Sequence, residues 1–268
     1  MYAFEYHRPT SIGQAATLAT EVEDVKFLAG GHTLLPTMKM RLAAPASLID
    51  LSQIAELHGI ERSAESITIG AMTKHAEVVN SSEIRESIPA LAEMAELIGD
   101  PHVRHRGTIG GSVANNDPSA DYPAACLALN ATIITNKREI AADDFFQGIF
   151  TTALEEGEII TRVSFPIPSR AAYAKFRHPA SRYALVGVFV AERGNDVRLA
   201  VTGAGADGVF RVPEMEQSLS RHFAPDALEG IIIPPEGMNG DIHADAAYRA
   251  HLVGIMARRA VQAAASRG

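Results

Sequence analysis

Short apolar runs alternate along the chain with stretches of helical period, and turn residues mark most of the joins. Within residues 10–22, Ile12, Ala15, Ala16, Leu18 and Ala19 recur on one helical face, with Thr10 or Ser11 placed to cap its start. Residues 25–28 are too few for a helix and read as a strand that runs straight into Ala29-Gly30-Gly31. Residues 34–41 are helical again, with Pro36 tolerated in the first turn. Residues 47–51 and 67–70 predict strands. Residues 73–80 and 88–98 predict helices, the second closed by Gly99-Asp100-Pro101. A glycine-rich loop is expected over 106–116, then a helix over 122–129 and strands over 131–135 and 158–165.

Pro166-Ile167-Pro168 is the strongest boundary signal. Beyond it lie strands expected at 173–176, 186–192 and 197–202, with Gly194-Asn195-Asp196 turning between the last two. Helices around 214–221 and 245–265 finish the chain. The pattern is α+β. It predicts a two-lobed region over 1–168, with lobes of about 1–53 and 54–168. A smaller domain over 169–268 follows, a three-stranded antiparallel sheet plus helices.

Composition narrows the function classes. With 268 residues, 47% of them hydrophobic, the chain can bury a full core. Its net charge of -8 argues against nucleic acid, which needs a clustered basic face. Cys126 is the only cysteine, so no internal disulfide forms and no iron–sulfur cluster is ligated by this chain alone. The opening residues 1–9 mix charges with aromatics unlike a secretory signal, and no apolar run approaches the roughly 18 residues of a membrane span. A cytoplasmic location is the expectation.

Two glycine-rich segments carry the candidate chemistry. Ala29-Gly30-Gly31-His32-Thr33-Leu34 joins a strand to a helix, where glycines admit close backbone approach and successive N–H groups form an anion site. Thr33 is placed to cap that helix and to donate to a phosphate. The second segment runs from Arg106 through Gly107-Thr108-Ile109-Gly110-Gly111-Ser112 to Asn115-Asn116. Alone, the first segment reads first as a plain tight turn and the second as a turn or a bulged strand, and neither matches the dinucleotide or P-loop fingerprint.

Together they are more specific. With Asn116-Asp117-Pro118-Ser119-Ala120-Asp121-Tyr122-Pro123 they resemble the FAD-binding medium subunit of the xanthine dehydrogenase and carbon monoxide dehydrogenase family. Tyr2-Ala3-Phe4-Glu5-Tyr6, Lys175-Phe176-Arg177-His178, Tyr183-Ala184-Leu185-Val186 and Tyr248-Arg249 extend the resemblance over nearly the whole chain. It implies a two-lobed FAD-binding domain of the vanillyl-alcohol-oxidase (PCMH) type, followed by the family's C-terminal domain. Ala29, Gly30, Gly31, His32 and Thr33, with Thr108, Ile109, Gly110, Gly111 and Ser112, would wrap the pyrophosphate through backbone N–H groups, and Leu34 and Asn115 would belong to the same cofactor site. Asp121 would hold a ribose or ribityl hydroxyl, and Ile160 would line the adenine or flavin side. Lys175 and Tyr183 would approach the isoalloxazine. His32 occupies the position that carries covalent flavin in some oxidases of this fold, but the resemblance implies non-covalent FAD. It also implies an iron–sulfur small subunit with [2Fe-2S] clusters, a large subunit with the molybdenum cofactor, and a dimer of heterotrimers. This chain would then pass electrons from the clusters to an external acceptor, with no catalytic residue of its own acting on the hydroxylated substrate.

Other features are read as structural. His102 and His105 fall short of a metal set, Cys126 sits on an apolar face without a base, and Asp143-Asp144 reads as a helix cap. Arg258 and Arg259 lie on an amphipathic helix packed on its own domain. A stand-alone flavin oxidase or reductase of the same fold is the alternative function; it needs a base over the flavin, for which only His178, His222, His243 and His251 offer themselves. A scaffold that has lost its cofactor is the third reading, and the intact glycine segments argue against it.

Overall fold

The computed structural model describes residues 1–267. The first lobe is a three-stranded parallel sheet, in which Ser47–Asp50 lies between Glu5–His7 and Val25–Leu28 and pairs with both in register from Ser47. Helix Ile12–Glu21 makes the crossover. Ser11 is its cap and accepts from the Gln14 amide, and Ala15 is buried against Ile49, Leu51 and Ile54.

The second lobe is a five-stranded antiparallel sheet in the order Ile60–Arg62, Ser66–Gly70, Ile160–Pro166, Thr132–Thr135, Glu139–Ala141. The central strand places Val163 opposite Ile69 on one side and Ile133 on the other. Its burial alternates because one face packs on helices and the other meets solvent. Pro89–Glu96 and Tyr122–Ala128 contribute the largest share of that helical layer, the second buried on every side.

The three C-terminal strands form as expected: Arg170–Arg177, Ala184–Arg193 and Asp196–Thr202 are antiparallel, and a short fourth, Phe210–Arg211, joins the edge. Val186, Val188 and Val190 face Leu252, Val253 and Met256 of helix Ala246–Ala265. Phe189 and Ala191 point the other way, into the core of the second lobe, where helix Tyr122–Ala128 packs on the sheet. Burial on both faces explains why residues 184–191 read as one unbroken apolar run.

Residues 106–116 are not a loop. Pro101–Arg106 and Ile109–Asn115 are short helices, capped by Asp100 and Thr108, with Gly107 between them. Asp143 and Asp144 lie in the first turn of Ala142–Phe145 and do not cap it; that position is Ala141. Asp143 instead pairs with Arg198 at 2.5 Å and Arg211 at 3.4 Å.

Candidate cofactor site

Strand Val25–Leu28 ends at the rim of the first lobe, and the chain turns there into helix Leu34–Lys39. Gly31 takes φ of +76°, which glycine adopts without cost. At Gly30 a Cβ would strike the Arg106 carbonyl and come within 2.8 Å of the Gly107 Cα. The Ala29 Cβ is in ordinary contact with the second segment, 3.4 Å from where a Cβ on Gly111 would stand. The two glycine segments, far apart in sequence, therefore lie against each other.

Their backbone donors differ. The N–H groups of Gly30, Gly31, His32 and Thr33 have no acceptor among the described residues. Those of the second segment are engaged: Ile109 donates to the Thr73 carbonyl, Gly110 to Ala71, Gly111 to the Thr108 hydroxyl and Ser112 to the Thr108 carbonyl. The first segment is thus a nest of open donors, and the second is a wall held behind it. Thr33 does not cap its helix as expected, which leaves its exposed hydroxyl uncommitted. The exposed side chains of His32, His102, His105 and Arg106 make the rim basic. His32 Nε2 lies 3.2 Å from the His102 carbonyl, which can only accept, so that nitrogen carries a hydrogen.

Behind the wall sits His75, which the sequence reading passed over. Its amide donates to the Gly107 carbonyl, and its ring lies against Gly107, where a Cβ would stand 2.7 Å from Nε2. Burial, reinforced by the charges of His32 and Arg104, pushes this imidazole down to about 4. Asn116 was also missed as a clamp. It is left-handed, and its amide donates to the Gly148 and Thr151 carbonyls, fixing the hairpin over 146–152.

Asp121 and Lys175 were expected to reach the cofactor separately; they are each other's partner. Lys175 Nζ donates to Asp121 at 2.9 Å and to the Leu97 carbonyl at 3.2 Å, and the Tyr173 hydroxyl donates to Asp121 at 2.5 Å. Both charged side chains are almost fully buried. Burial pushes the Asp121 carboxyl up, and Lys175 and Tyr173 oppose that rise. Ile160 lies in the core at the start of its strand. Leu34 opens its helix half-buried, and Ser112 and Asn115 are half-buried with side chains free of bonds to the chain. Tyr183 is half-exposed at the tip of the C-terminal hairpin, its hydroxyl raised by partial burial and then by Asp117 and Asp121.

A row of open amides, a glycine wall without side chains and a basic rim suit a diphosphate group. Residues 2–168 match the family described as the FAD binding domain in molybdopterin dehydrogenase. The chain belongs to that family. It is 38% identical to the carbon monoxide dehydrogenase medium chain of Hydrogenophaga pseudoflava over 98% of each chain. It is 36% identical to the nicotine 6-hydroxylase medium subunit of Paenarthrobacter nicotinovorans, covering 99% of this chain and 98% of that one. Its structure superposes on carbon monoxide dehydrogenase from Hydrogenophaga pseudoflava with a TM-score of 0.88, covering 99% and 98% of the two chains at 36% identity. Quinoline 2-oxidoreductase from Pseudomonas putida 86 gives 0.87 over 99% and 98% at 27%. The chain is thus an FAD-binding medium subunit of an oxidoreductase of the carbon monoxide dehydrogenase and xanthine dehydrogenase type, with an α+β fold. No helix among the described residues is long and apolar enough to cross a membrane.

Proposed function

We propose that this subunit holds FAD non-covalently and relays electrons from a [2Fe-2S] small subunit to an external acceptor, in a cytoplasmic complex whose large subunit carries the molybdenum cofactor. A dimer of such heterotrimers is the assembly proposed. FAD, when bound, supplies one- and two-electron chemistry that amino-acid side chains lack. The observation that carries the reading is the run of open N–H groups from Gly30 to Thr33, packed against the second glycine segment.

In this reading the Gly30, Gly31, His32 and Thr33 amides and the Thr33 and Ser112 hydroxyls hold the diphosphate. Ala29 and Gly111 form the floor between the segments, while Thr108, Ile109 and Gly110 keep the wall in place through their internal bonds. Leu34 and Asn115 border the site and Ile160 backs it from the core. Asp121 and Lys175 act together, fixing the sheet that carries Tyr183 toward the flavin ring. The division near residue 168 then separates a part that binds the cofactor from a part that covers it. With Nε2 of His32 committed to the His102 carbonyl, that nitrogen is not free to bond to the flavin.

The purified chain is expected to be yellow, or to become so with added FAD. Acid precipitation should release the colour to the supernatant, and affinity capture from the source cell should bring down an iron–sulfur chain and a molybdenum chain. Colour that stays in the pellet, or flavin reduction by an organic substrate with the chain alone, would replace this reading with a stand-alone oxidase.

A further inference from the structure

Residues 178–183 form the turn between strands Arg170–Arg177 and Ala184–Arg193. Arg182 stands near Asp100, whose carboxyl is held low chiefly by the Val103 amide, with a smaller pull from Arg182. The hydroxyl of half-exposed Tyr183 is raised by partial burial and then by the charges of Asp117 and Asp121. The turn itself is knotted on one side chain. Nδ1 of His178 lies 3.2 Å from the amides of both Ala180 and Ser181, and the Arg182 amide returns to the His178 carbonyl at 2.9 Å. On the far side, Nε2 of His178 lies 3.2 Å from Nδ1 of His243, with the rings edge to face at 4.3 Å.

His243 is anchored in turn. Asp241 accepts from the His243 and Ala244 amides and pairs with Arg249 at 2.7 Å. Arg249 is buried and donates to the Leu185 and Gly203 carbonyls, at the root of the same sheet.

These contacts admit one arrangement of protons. Two amides point at His178 Nδ1, so that nitrogen carries no hydrogen, and the ring proton sits on Nε2. It donates to His243 Nδ1, which must also be bare. A proton added to His178 opposes the two amides. A proton added to His243 Nδ1 opposes His178 Nε2–H. The other charges near the pair are Asp241, whose carboxyl is lowered in part by His243, and Arg177 and Arg182, which flank the turn in sequence.

We infer that His178 and His243 are positioning residues: as a neutral pair they hold the 178–183 turn, and with it Tyr183, over the cofactor face, and acid releases it. The part concerning the cofactor face rests on the proposed binding of FAD; the part concerning the turn does not.

The test is amide exchange by mass spectrometry on the full FAD-loaded chain, from pH 8 to pH 5, corrected for intrinsic rates, together with flavin fluorescence. In the wild type, exchange at Ala180 and Ser181 should rise about tenfold or more across the range where imidazoles titrate. His178→Ala should exchange fast at every pH. His178→Asn, whose Oδ1 accepts the same amides and does not titrate, should stay protected at every pH. His243→Ala should raise exchange at pH 8 by a smaller factor. Flavin fluorescence should follow the same pH dependence and lose it in His178→Asn. Wild-type protection that does not change with pH, or His178→Asn behaving like the alanine variant, overturns the proposal. Exchange that follows the prediction while flavin fluorescence stays constant upholds the pair and removes Tyr183 from the cofactor face. A chain that binds no FAD fails the functional reading, and the exchange result still decides the histidine pair.

Discussion

Gly30 is the residue on which the site turns, because any side chain there meets the backbone of Arg106 and Gly107, which cannot step aside as a flexible side chain would. Gly30→Ala should leave the far-ultraviolet circular dichroism near wild type and weaken FAD binding at least about 100-fold, since even small displacements of positioned donors are costly. Fluorescence titration with FAD measures it, and near-wild-type affinity would detach the glycine contact from the cofactor. His75 gives a second prediction. It is held near 4 when folded and titrates near 6.5 when unfolded, so between those values the unfolded chain binds the extra proton. Stability is therefore full above about pH 6.5 and falls as pH drops toward 4, by up to about 3 kcal/mol from this group. Urea unfolding at pH 7 and pH 4.5 should show a smaller loss in His75→Leu than in the wild type; equal losses would exclude His75 as the source. Of these two residues the sequence displays only the first. A glycine doublet after a strand is a local signal. The burial of His75 depends on Gly107 and Tyr122 arriving from elsewhere, and no spacing around it records that.

Thr108 shows what an element adds to its residues. Expected to hold phosphate directly, it is almost fully buried and caps helix Ile109–Asn115 by accepting from the Gly111 amide. Thr108→Ala should cost about 1 kcal/mol by urea unfolding, and Thr108→Ser should restore most of it. A Ser variant as weak as Ala would mean that the methyl group, packed in the core, matters more than the cap. That helix was hidden in the sequence because Gly110, Gly111 and Ser112 are poor helix formers, and seven residues are too few for a period to emerge. Strands Glu5–His7, Ile60–Arg62 and Glu139–Ala141 escaped for a related reason: three residues at a sheet edge carry almost no alternation. The longer elements were legible. The strand Ala184–Arg193, the three-strand order after Pro168 and helix Ala246–Ala265 all emerged within a few residues of their expected limits, because each buries a continuous apolar face.

At the scale of the whole molecule, the question is how a sheet built after residue 168 is joined to the lobes built before it. The join has an apolar part, Phe189 and Ala191 on helix Tyr122–Ala128, and a polar part. The Thr202 hydroxyl donates to the Pro118 and Ala120 carbonyls, the Gly203 amide donates to Pro118, and Lys175 and Tyr173 close on Asp121. All of these meet the segment over 118–121 that follows the second glycine wall, so cofactor lobe and C-terminal sheet should unfold together in one transition. The ion pair is the sharpest probe of that join. Removing Lys175 alone strands a carboxylate in the interior, which costs about 3 kcal/mol or more. Lys175→Met should therefore destabilise the chain strongly at pH 7. The loss should shrink at acid pH, where Asp121 takes a proton in the folded state and no longer has to be buried as a charge. The double variant Asp121→Asn with Lys175→Met should regain much of the stability, because the side chain left at 121 still accepts from Tyr173 and carries no charge. If the double variant is instead as unstable as the sum of the two single ones, the pair is not coupled, and the sheet is joined to the lobes by its apolar contacts and the Thr202 clasp alone. If it recovers, Lys175 and Asp121 are residues of the join first, and their conservative replacement should shift the unfolding midpoint more than the affinity for FAD.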